Sequence, residues 1–559
     1  MRGIVVALVA VLVVPPGLAR GGEPPHFGIP QVKFINERIA AAWADAGLEP
    51  SRAAGDGEWC RRVFLDVIGR IPTIDELRTY LGDSSPTKRA DLVGRLLADD
   101  YADEYARHWT DIWTTILIGR DVQNERVNRP GMRQYLRRAF SRNLSYDRLM
   151  EELVTATGVN TNRRDVDGFN GATNFLSGKL EEMGIRNGVQ ATVKTAQIFL
   201  GVRVQCTQCH DHKFNTGKQN QFWEFNAFFR QTRALTRRGG TDDLRWIELV
   251  DEDFAGEGGD PDQAEIYYEL RNGLMKVAYP VFLDGTAIDK SGRLPGTAPD
   301  GTAYGVLRRR ELAQLIGASP LFPRTFVNRM WAHFLGYGFT RPIDDFGDHN
   351  PPSDPDLLDG LAERFREQSF DVKELVRWIT LSRPYGLSSR ATAANLRDDP
   401  ATGERPMFTR FYLRQMHAEE LYDSLLTATQ ADKTDGEEAA KKKDRWLSQF
   451  VIAFGTDEGD DMTTFDGSIP QVLMMFNGDL MRNATSTGRG GFLDRVAGSR
   501  TGNPAKIEAL YLAALSRKPS AAEVAVANKL VAARRGDVVG ALQDVWWAVL
   551  NSNEFILKH

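Results

Sequence analysis

Apolar residues recur every three or four positions along most of the chain, which is the spacing of helices that bury one face. Tyr105, Trp109 and Trp113 follow this spacing within residues 101–118. A further amphipathic stretch, residues 189–204, leads directly into a pair of cysteines. The pattern predicts that the first 235 residues are all-α.

Polar and apolar residues alternate instead in the middle of the chain, as they do in half-buried strands. Residues 244–250 alternate, and residues 265–271 meet residues 274–282 across Asn272-Gly273, a dipeptide that favours a type I′ hairpin turn. Loops rich in Gly and Asp flank this hairpin. Helical spacing returns from about Arg308 onward.

These patterns predict a mainly α fold, with two helical domains and a small β-hairpin insertion between them. The predicted division of the chain is a signal peptide over residues 1–19, a helical domain over residues 20–235, a loop-rich segment with the hairpin over residues 236–305, and a second helical domain over residues 306–559.

The N-terminus has the layout of a secretory signal peptide. Arg2 precedes an apolar run of about 11 residues, and small residues lead to a cleavage site after Ala19. The run is shorter than the roughly 20 apolar residues that a membrane-spanning helix needs. We therefore expect an exported protein, periplasmic or extracellular, with no transmembrane anchor after signal cleavage.

Composition excludes several classes of protein. Of the 559 residues, 42% are hydrophobic and 26% are charged, which is typical of a globular chain and excludes wholesale disorder or a multi-span membrane protein. The formal net charge is -5, so no overall basic field attracts phosphate backbones. We expect no nucleic-acid partner.

The sharpest chemical signal in the sequence is Cys206-Thr207-Gln208-Cys209-His210. Two thiols at this spacing followed by His form the attachment pattern for haem c, in which the thiols bond to the macrocycle and His210 is the proximal iron ligand. The remaining cysteine, Cys60, lies in an apolar helical stretch and is expected to be a small buried residue. The alternatives for the pair are a structural zinc site with His210 and His212, a short-loop disulfide, or a pattern met by chance.

A second axial ligand has to come from elsewhere in the chain, because His212 is too close to His210 to reach the opposite face of the same iron. His108 is the first choice, since it lies in the same predicted domain. The other candidates are His333, His349, His417 and Met275. Each of these residues is also compatible with a purely structural role.

A second polar cluster occupies residues 341–353. It contains Asp344, Asp345, Asp348 and His349, whose side chains suit a Ca²⁺ site or general acid–base work. The alternative is a capped, Pro-rich turn before a helix that begins near Asp354.

Several motifs resemble a known family. Residues 64–77, 107–113 and 199–214 resemble the planctomycete-type family called domain of unknown function 1549, and residues 326–333, 344–347, 350–352, 381–383 and 550–555 resemble its usual partner, domain of unknown function 1553. The resemblance carries the Cys-x-x-Cys-His block with it and extends to His108 and His333. It implies an exported protein, often encoded or fused with cytochrome-like modules, and it implies no established activity.

The sequence leads to three functional hypotheses. The first is an exported, c-type-haem-containing protein in electron transfer or another redox step, with Cys206 and Cys209 as the tether, His210 as an iron ligand and His108 as the second one. Its partner is a redox protein or a small-molecule substrate.

The second hypothesis is a non-redox, metal-dependent hydrolase or polysaccharide-processing envelope protein, with a metal held by Asp344, Asp348 and His349. The third is a structural or binding envelope protein with a zinc or disulfide cysteine site. The sequence assigns no catalytic residue.

Overall fold

The structure is a computed structural model that describes most of the chain. The described residues are 25–120, 124–163, 167–181, 187–213, 216–239, 244–251, 266–288, 307–433, 437–455, 468–487 and 490–559. The predicted signal peptide and most of the predicted Gly- and Asp-rich loops lie outside them.

Helices form most of the described chain, so the prediction of a mainly α fold is confirmed. The α-helices are α1 (Pro30–Ala46), α2 (Asp56–Ile68), α3 (Ile74–Gly82), α4 (Lys88–Leu96), α5 (Ala102–Ile118), α6 (Arg129–Ser141), α7 (Tyr146–Thr155), α8 (Asn174–Ser177), α9 (Val189–Thr195), α10 (Gln219–Asn226), α11 (Arg308–Ala318), α12 (Leu321–Leu335), α13 (Pro355–Glu367), α14 (Val372–Thr380), α15 (Ala418–Thr429), α16 (Glu437–Phe454), α17 (Ile469–Asn477), α18 (Asp479–Ala484), α19 (Phe492–Gly498), α20 (Asn503–Leu515), α21 (Ala521–Ala533), α22 (Val538–Leu550) and α23 (Asn553–Ile556). No helix in the described ranges is long and apolar enough to cross a membrane.

Individual residues explain where several helices begin and end. Thr73 and Glu76 form a capping box at the start of α3, since each side chain accepts a hydrogen bond from the other residue's backbone N–H. The Asp354 carboxylate caps α13 by accepting from the Leu357 N–H at 2.9 Å, which fits the predicted capped turn. Helix α2 ends at Gly69, whose φ of 77° lies in the left-handed region that favours glycine.

The helix predicted over residues 189–204 is shorter in the structure. Helix α9 continues as a π-helical turn, Ala196–Leu200, and ends at Gly201, which has a φ of 63°. An added Cβ at Gly201 would lie 2.5 Å from the Phe346 ring, so contact with a distant loop also requires glycine here. The chain therefore leaves the helix before the cysteines, which lie on and just after a 3₁₀ turn, Gln205–Gln208.

Three small antiparallel sheets accompany the helices in the part of the chain that the structure describes. Their strands are β1 (Gly158–Val159), β2 (Thr232–Gly239), β3 (Leu244–Asp251), β4 (Ile266–Glu269), β5 (Met275–Ala278), β6 (Arg414–Gln415) and β7 (Leu557–Lys558). The first sheet has the order β1-β3-β2, while β4 pairs with β5 and β6 pairs with β7. Strand β1 lies inside the segment predicted to be all-α, and its two residues are too few to give an alternating pattern.

The β4–β5 hairpin is present as predicted, but its turn is of a different type. A type I′ turn needs positive φ at both central residues. Only Gly273 of the Asn272-Gly273 pair has one, at 82°. The Gly273 N–H donates to the Leu270 carbonyl, and the Leu270 N–H donates to the Leu274 carbonyl, both at 2.8 Å. The loop is thus a type I turn followed by a left-handed glycine.

Two large hydrophobic cores hold most of the described residues together, and a third, small cluster consists of Ala227, Tyr268 and Ala278. The larger core takes side chains from both predicted helical domains, among them Trp59, Trp109 and Trp331, which are at most 1% exposed. The second core consists mainly of side chains from α15 onward, with Leu65 and Ile71 reaching in from the N-terminal part of the chain. Both cores therefore cross from one predicted helical domain to the other.

Candidate functional site

A cavity of about 470 Å³ lies where α5, α12, α15 and the β6–β7 pair meet. This volume is within the range of roughly 300–1,000 Å³ that small-molecule sites occupy. The side chains that line the cavity include six titratable groups close to one another: His108, His333, Arg414, His417, Glu420 and Lys558. We refer to these six residues together with Asp66, which contacts several of them, as the cavity cluster.

Helix α5 supplies His108 and the wall beside it. Ile112 and Ile116 lie one and two turns further along the same face of α5, and they also line the cavity. His108 is buried, and its Nε2 lies 3.3 Å from the Asp66 carbonyl oxygen. Gly69 permits this position, because an added Cβ there would lie 2.5 Å from His108 Nδ1.

His333 on α12 and His417 at the start of α15 complete a row of three imidazoles. The ring centroids of His108 and His333 are 6.1 Å apart, and those of His333 and His417 are 6.4 Å apart with the rings 11° from parallel. The Nε2 of His333 lies 3.4 Å from the same Asp66 carbonyl that His108 contacts. Because a carbonyl oxygen only accepts, we assign the ring hydrogen of both residues to Nε2, which leaves each Nδ1 as an acceptor.

Two carboxylates and two cations balance one another next to the imidazoles. The Asp66 carboxylate accepts from Arg414 at 2.7 Å and from Lys558 at 3.0 Å. Lys558 also donates to Glu420 at 2.7 Å, and Glu420 lies 3.9 Å from His108 Nε2. These charged groups are all buried, so removing one partner would leave an uncompensated charge inside the protein.

Burial keeps the imidazoles uncharged at neutral pH. It lowers the pKa of His108 to about 3, although the Glu420 charge acts in the opposite direction. Burial also lowers the pKa of His333 and of His417, and the Lys558 charge acts in the same direction on both. All three rings are therefore neutral at pH 7.

The two carboxylates of the cavity cluster stay charged for a different reason. Burial alone would raise the pKa of Asp66, but Arg414 and Lys558 outweigh it and hold that pKa well below its usual range. Burial would likewise raise the pKa of Glu420, but the Lys558 charge and hydrogen bond outweigh it and hold that pKa below its usual range. The cluster thus combines fixed, balanced charges with neutral imidazoles, an arrangement suited to proton transfer.

The opposite wall of the cavity connects it to the cysteine segment. Arg203 lines the cavity and forms an ion pair with Asp344, with a shortest contact of 2.7 Å. The Phe346 N–H donates to the Gly201 carbonyl at 2.7 Å. The two polar segments that the sequence singles out therefore lie side by side.

The predicted haem-attachment residues lie at the molecular surface. Cys206 and Cys209 are exposed free thiols, whereas Cys60 is buried, as its apolar surroundings predict. His210 is exposed, and its Nδ1 lies 2.7 Å from the Asp211 carbonyl oxygen. That contact places the ring hydrogen on Nδ1 and leaves the Nε2 lone pair available. A histidine that binds a metal ion commonly has this arrangement.

The candidates for a second axial ligand lie in different parts of the structure. His108, the first choice, lies in the cavity cluster beside Asp66 and Glu420, and His333 and His417 lie there too. Met275 is on β5 and is 59% exposed. The assignment of His108 as an iron ligand stays a prediction.

The acidic residues of the second polar cluster have different partners. Asp344 is buried in its ion pair with Arg203, Asp348 is exposed, and Asp345 pairs with His349 at 3.1 Å. Across the described residues, no group of three or more His, Cys, Asp or Glu side chains is arranged to hold a metal ion.

Sequence reasoning identifies three members of the cavity cluster singly and misses the cluster as a unit. The available signal is Asp66, a carboxylate inside the apolar run of α2. A charge in such a run implies a buried partner elsewhere in the chain. That partner, Lys558, is 492 residues away, a separation that local spacing cannot connect.

The fold and the cavity define a mainly α-helical protein in which residues from both predicted helical domains line a cavity. Residues 34–234 match PSCyt2, described as "Protein of unknown function (DUF1549)", and residues 308–463 match PSD1, described as "Protein of unknown function (DUF1553)". The chain therefore belongs to the proteins that combine these two domains. No curated protein and no solved structure matches it.

Proposed function

We propose that the protein is an enzyme that moves a proton on a small substrate in the cavity, with His417 as the proton acceptor. The observation that carries this proposal is the row of three neutral imidazoles along a cavity of ligand size. His108 and His333 both approach the Asp66 carbonyl, whereas His417 lies at the other end of the row.

The surroundings of His417 suit this role. It precedes α15, and the positive end of a helix dipole favours the neutral ring before the reaction. Glu420 accepts from the His417 backbone N–H at 2.9 Å, and its charge favours the imidazolium that forms on proton transfer. Lys558 holds Glu420 charged, so this stabilisation is in place before the substrate arrives.

Substitution of His417 tests the proposal. Purified protein is assayed against p-nitrophenyl esters, phosphates and glycosides, and the substrate that is turned over is used to compare His417→Gln with His349→Gln, a control outside the cavity lining. Loss of a general base is expected to lower kcat by about 10²-fold or more in His417→Gln, with the control within about twofold of wild type. Equal kcat values in the two variants would refute the proposal.

Covalent haem attachment is the second candidate, with the protein acting in a redox step after export. Two exposed thiols three residues apart and the orientation of the His210 ring favour it. Cys206 and Cys209 would hold the macrocycle, and His210 would ligate the iron through Nε2. A haem held there would supply one-electron chemistry. Residues 1–19 support export, because their pattern is that of a signal peptide.

Absorption spectra and intact mass test this candidate. The chain is expressed with the haem-attachment machinery, with Cys206→Ala and Cys60→Ala as matched variants. We expect a haem c spectrum and the mass of one attached haem in wild type and in Cys60→Ala, and loss of the two-bond attachment in Cys206→Ala. A colourless protein with the mass of the bare processed chain would rule out haem at this site.

A further inference from the structure

We propose that the cavity binds an amphiphilic anion, a carboxylate head group carried on an unbranched apolar body. The inference rests on the proposed function, because it names the substrate or product class of the same site. It follows from an apolar wall on part of the cavity lining and from the excess of cations over carboxylates around the lining as a whole.

The apolar wall is the part of the cavity that would hold the body of the ligand. Ile112 and Ile116 on α5 and Ile343 on the loop after α12 line it, together with Tyr337. The three isoleucines are only half-buried within the protein. Since isoleucine side chains offer no hydrogen bonds, this wall favours methylene groups over sugar hydroxyls or a phosphate.

The charged lining selects the sign of the head group. Six lining side chains are cationic and four are acidic: Arg120, Arg203, Arg329, Arg341, Arg414 and Lys558 against Asp111, Asp344, Glu419 and Glu420. The cations still outnumber the carboxylates when Asp66, which lies behind Arg414, is included. The neutral imidazoles add no negative charge. The summed potential therefore favours an anion over a cation of the same size.

The binding positions for the head group and the apolar body of the ligand both lie along α5. His108 in the cavity cluster and Ile116 on the apolar wall are two turns apart on the same helix, which is about 12 Å along the axis. A linear ligand with its head at the imidazoles would therefore run along this face of α5. A carboxylate head at that end would lie beside Arg414 and Lys558, and the body would cover Ile112 and Ile116.

Calorimetric titration with hexanoate, octanoate and decanoate tests the inference, below the concentrations at which they form micelles. Each methylene buried against the wall is expected to strengthen binding about fourfold until the cavity is filled. Octanoate is expected to bind at least tenfold more tightly than octylamine. A Kd that does not change with chain length, or octylamine binding as tightly as octanoate, would overturn the inference.

Matched variants locate the binding site. Ile116→Asn is expected to flatten the dependence of Kd on chain length, while Ile452→Asn, at a position 85% exposed on α16, is expected to leave it unchanged. Ile343→Asn makes the same test from a loop if Ile116→Asn does not fold. Unaltered chain-length dependence in a folded wall variant would place binding elsewhere and overturn the inference.

The two proposals fail in different ways. If His417→Gln keeps full turnover but octanoate binds with the expected chain-length dependence, the catalytic role of His417 is wrong and the ligand class stands. If His417→Gln loses turnover but octylamine competes equally with octanoate, the ligand class is wrong and the catalytic role stands.

Discussion

Gly69 shows how a single residue positions the candidate site. Its left-handed backbone ends α2, and the absence of a side chain leaves room for the His108 ring. Gly47 also ends a helix in the left-handed region, but an added Cβ there would meet nothing within 4 Å. The pair therefore separates the cost of backbone strain from the cost of the contact with His108.

We predict that Gly69→Ala is the more destabilising of these two substitutions. Gly47→Ala is expected to lower the free energy of unfolding by about 1 kcal/mol, the cost of left-handed backbone. Gly69→Ala is expected to lower it by about 2–4 kcal/mol, because displacement of the His108 ring adds to that cost. Denaturant titration of both variants measures the two losses in free energy of unfolding. Equal losses would show that the contact with His108 adds nothing to the cost of the left-handed backbone.

The stability of the protein should fall on mild acidification, and His108 is one cause. Its pKa is about 3 in the folded chain and near 6.5 when unfolded, so the unfolded chain binds more protons between these values. The contribution to stability is complete above pH 6.5 and is lost as the pH falls toward 3. His108 alone accounts for a loss of about 2 kcal/mol between pH 7 and pH 5.

Substitution of His108 checks this pH dependence. The free energy of unfolding is measured from pH 7 to pH 5, and the slope is expected to be smaller in His108→Gln than in wild type. His349→Gln, outside the cavity lining, should retain the wild-type slope. A His108→Gln slope equal to that of wild type would mean that the pKa of His108 does not change on folding.

Helix caps illustrate what sequence predicts at the scale of one element. Thr73 makes the hydrogen bonds of a capping box. Ser145 occupies the same position before α7, and the same reasoning predicts that it is a cap, but its side chain makes no capping hydrogen bond. Residue type alone does not decide whether a hydroxyl reaches the helix N-terminus.

We predict that the two caps contribute differently to stability. Thr73→Ala is expected to lower the free energy of unfolding by about 1 kcal/mol, since it removes a hydrogen bond to the Glu76 N–H. Ser145→Ala is expected to change it by less than about 0.5 kcal/mol. Thermal and denaturant unfolding of the two variants provide the comparison. A larger effect at Ser145 would contradict the described geometry.

The existence of elements was easier to predict than their ends. Apolar spacing predicts α5 and the stretch that becomes α9, and alternation predicts β3 and the β4–β5 hairpin. The end of the α9 stretch depends on Gly201 meeting Phe346, a residue far along the chain. The turn type at Gly273 depends on how the two strands are paired, which the dipeptide alone does not determine.

At the scale of the whole molecule, the packing joins the two helical domains that the sequence predicts. The larger core joins Trp59 and Trp109 to Trp331, although the chain between them includes the loop-rich segment over residues 236–305. The cavity cluster likewise takes members from both sides of that segment. Local pattern identifies helices and single polar residues, whereas the pairing of distant faces is a property of the complete fold.

Separate expression of the two halves tests this shared packing. Residues 25–307 and residues 308–559 are each expected to lack a cooperative thermal transition, because each half alone exposes its side of the larger core. Mixing the two halves is expected to restore a transition and near-ultraviolet circular dichroism. If either half alone unfolds cooperatively at the Tm of the full chain, then that half folds without the side chains that the other half contributes to the larger core.

The Asp66–Lys558 ion pair has a consequence for the order of folding events. Its two residues are 492 positions apart, so the contact closes a very long loop and carries a correspondingly large entropic cost. Contacts of this kind are expected to form after the local helices and after most of each core. Until then the Asp66 carboxylate must stay hydrated, so water remains among the residues of the cavity cluster. The charge-balanced cavity cluster is thus among the last features to be acquired during refolding, and among the first that a destabilised chain would lose.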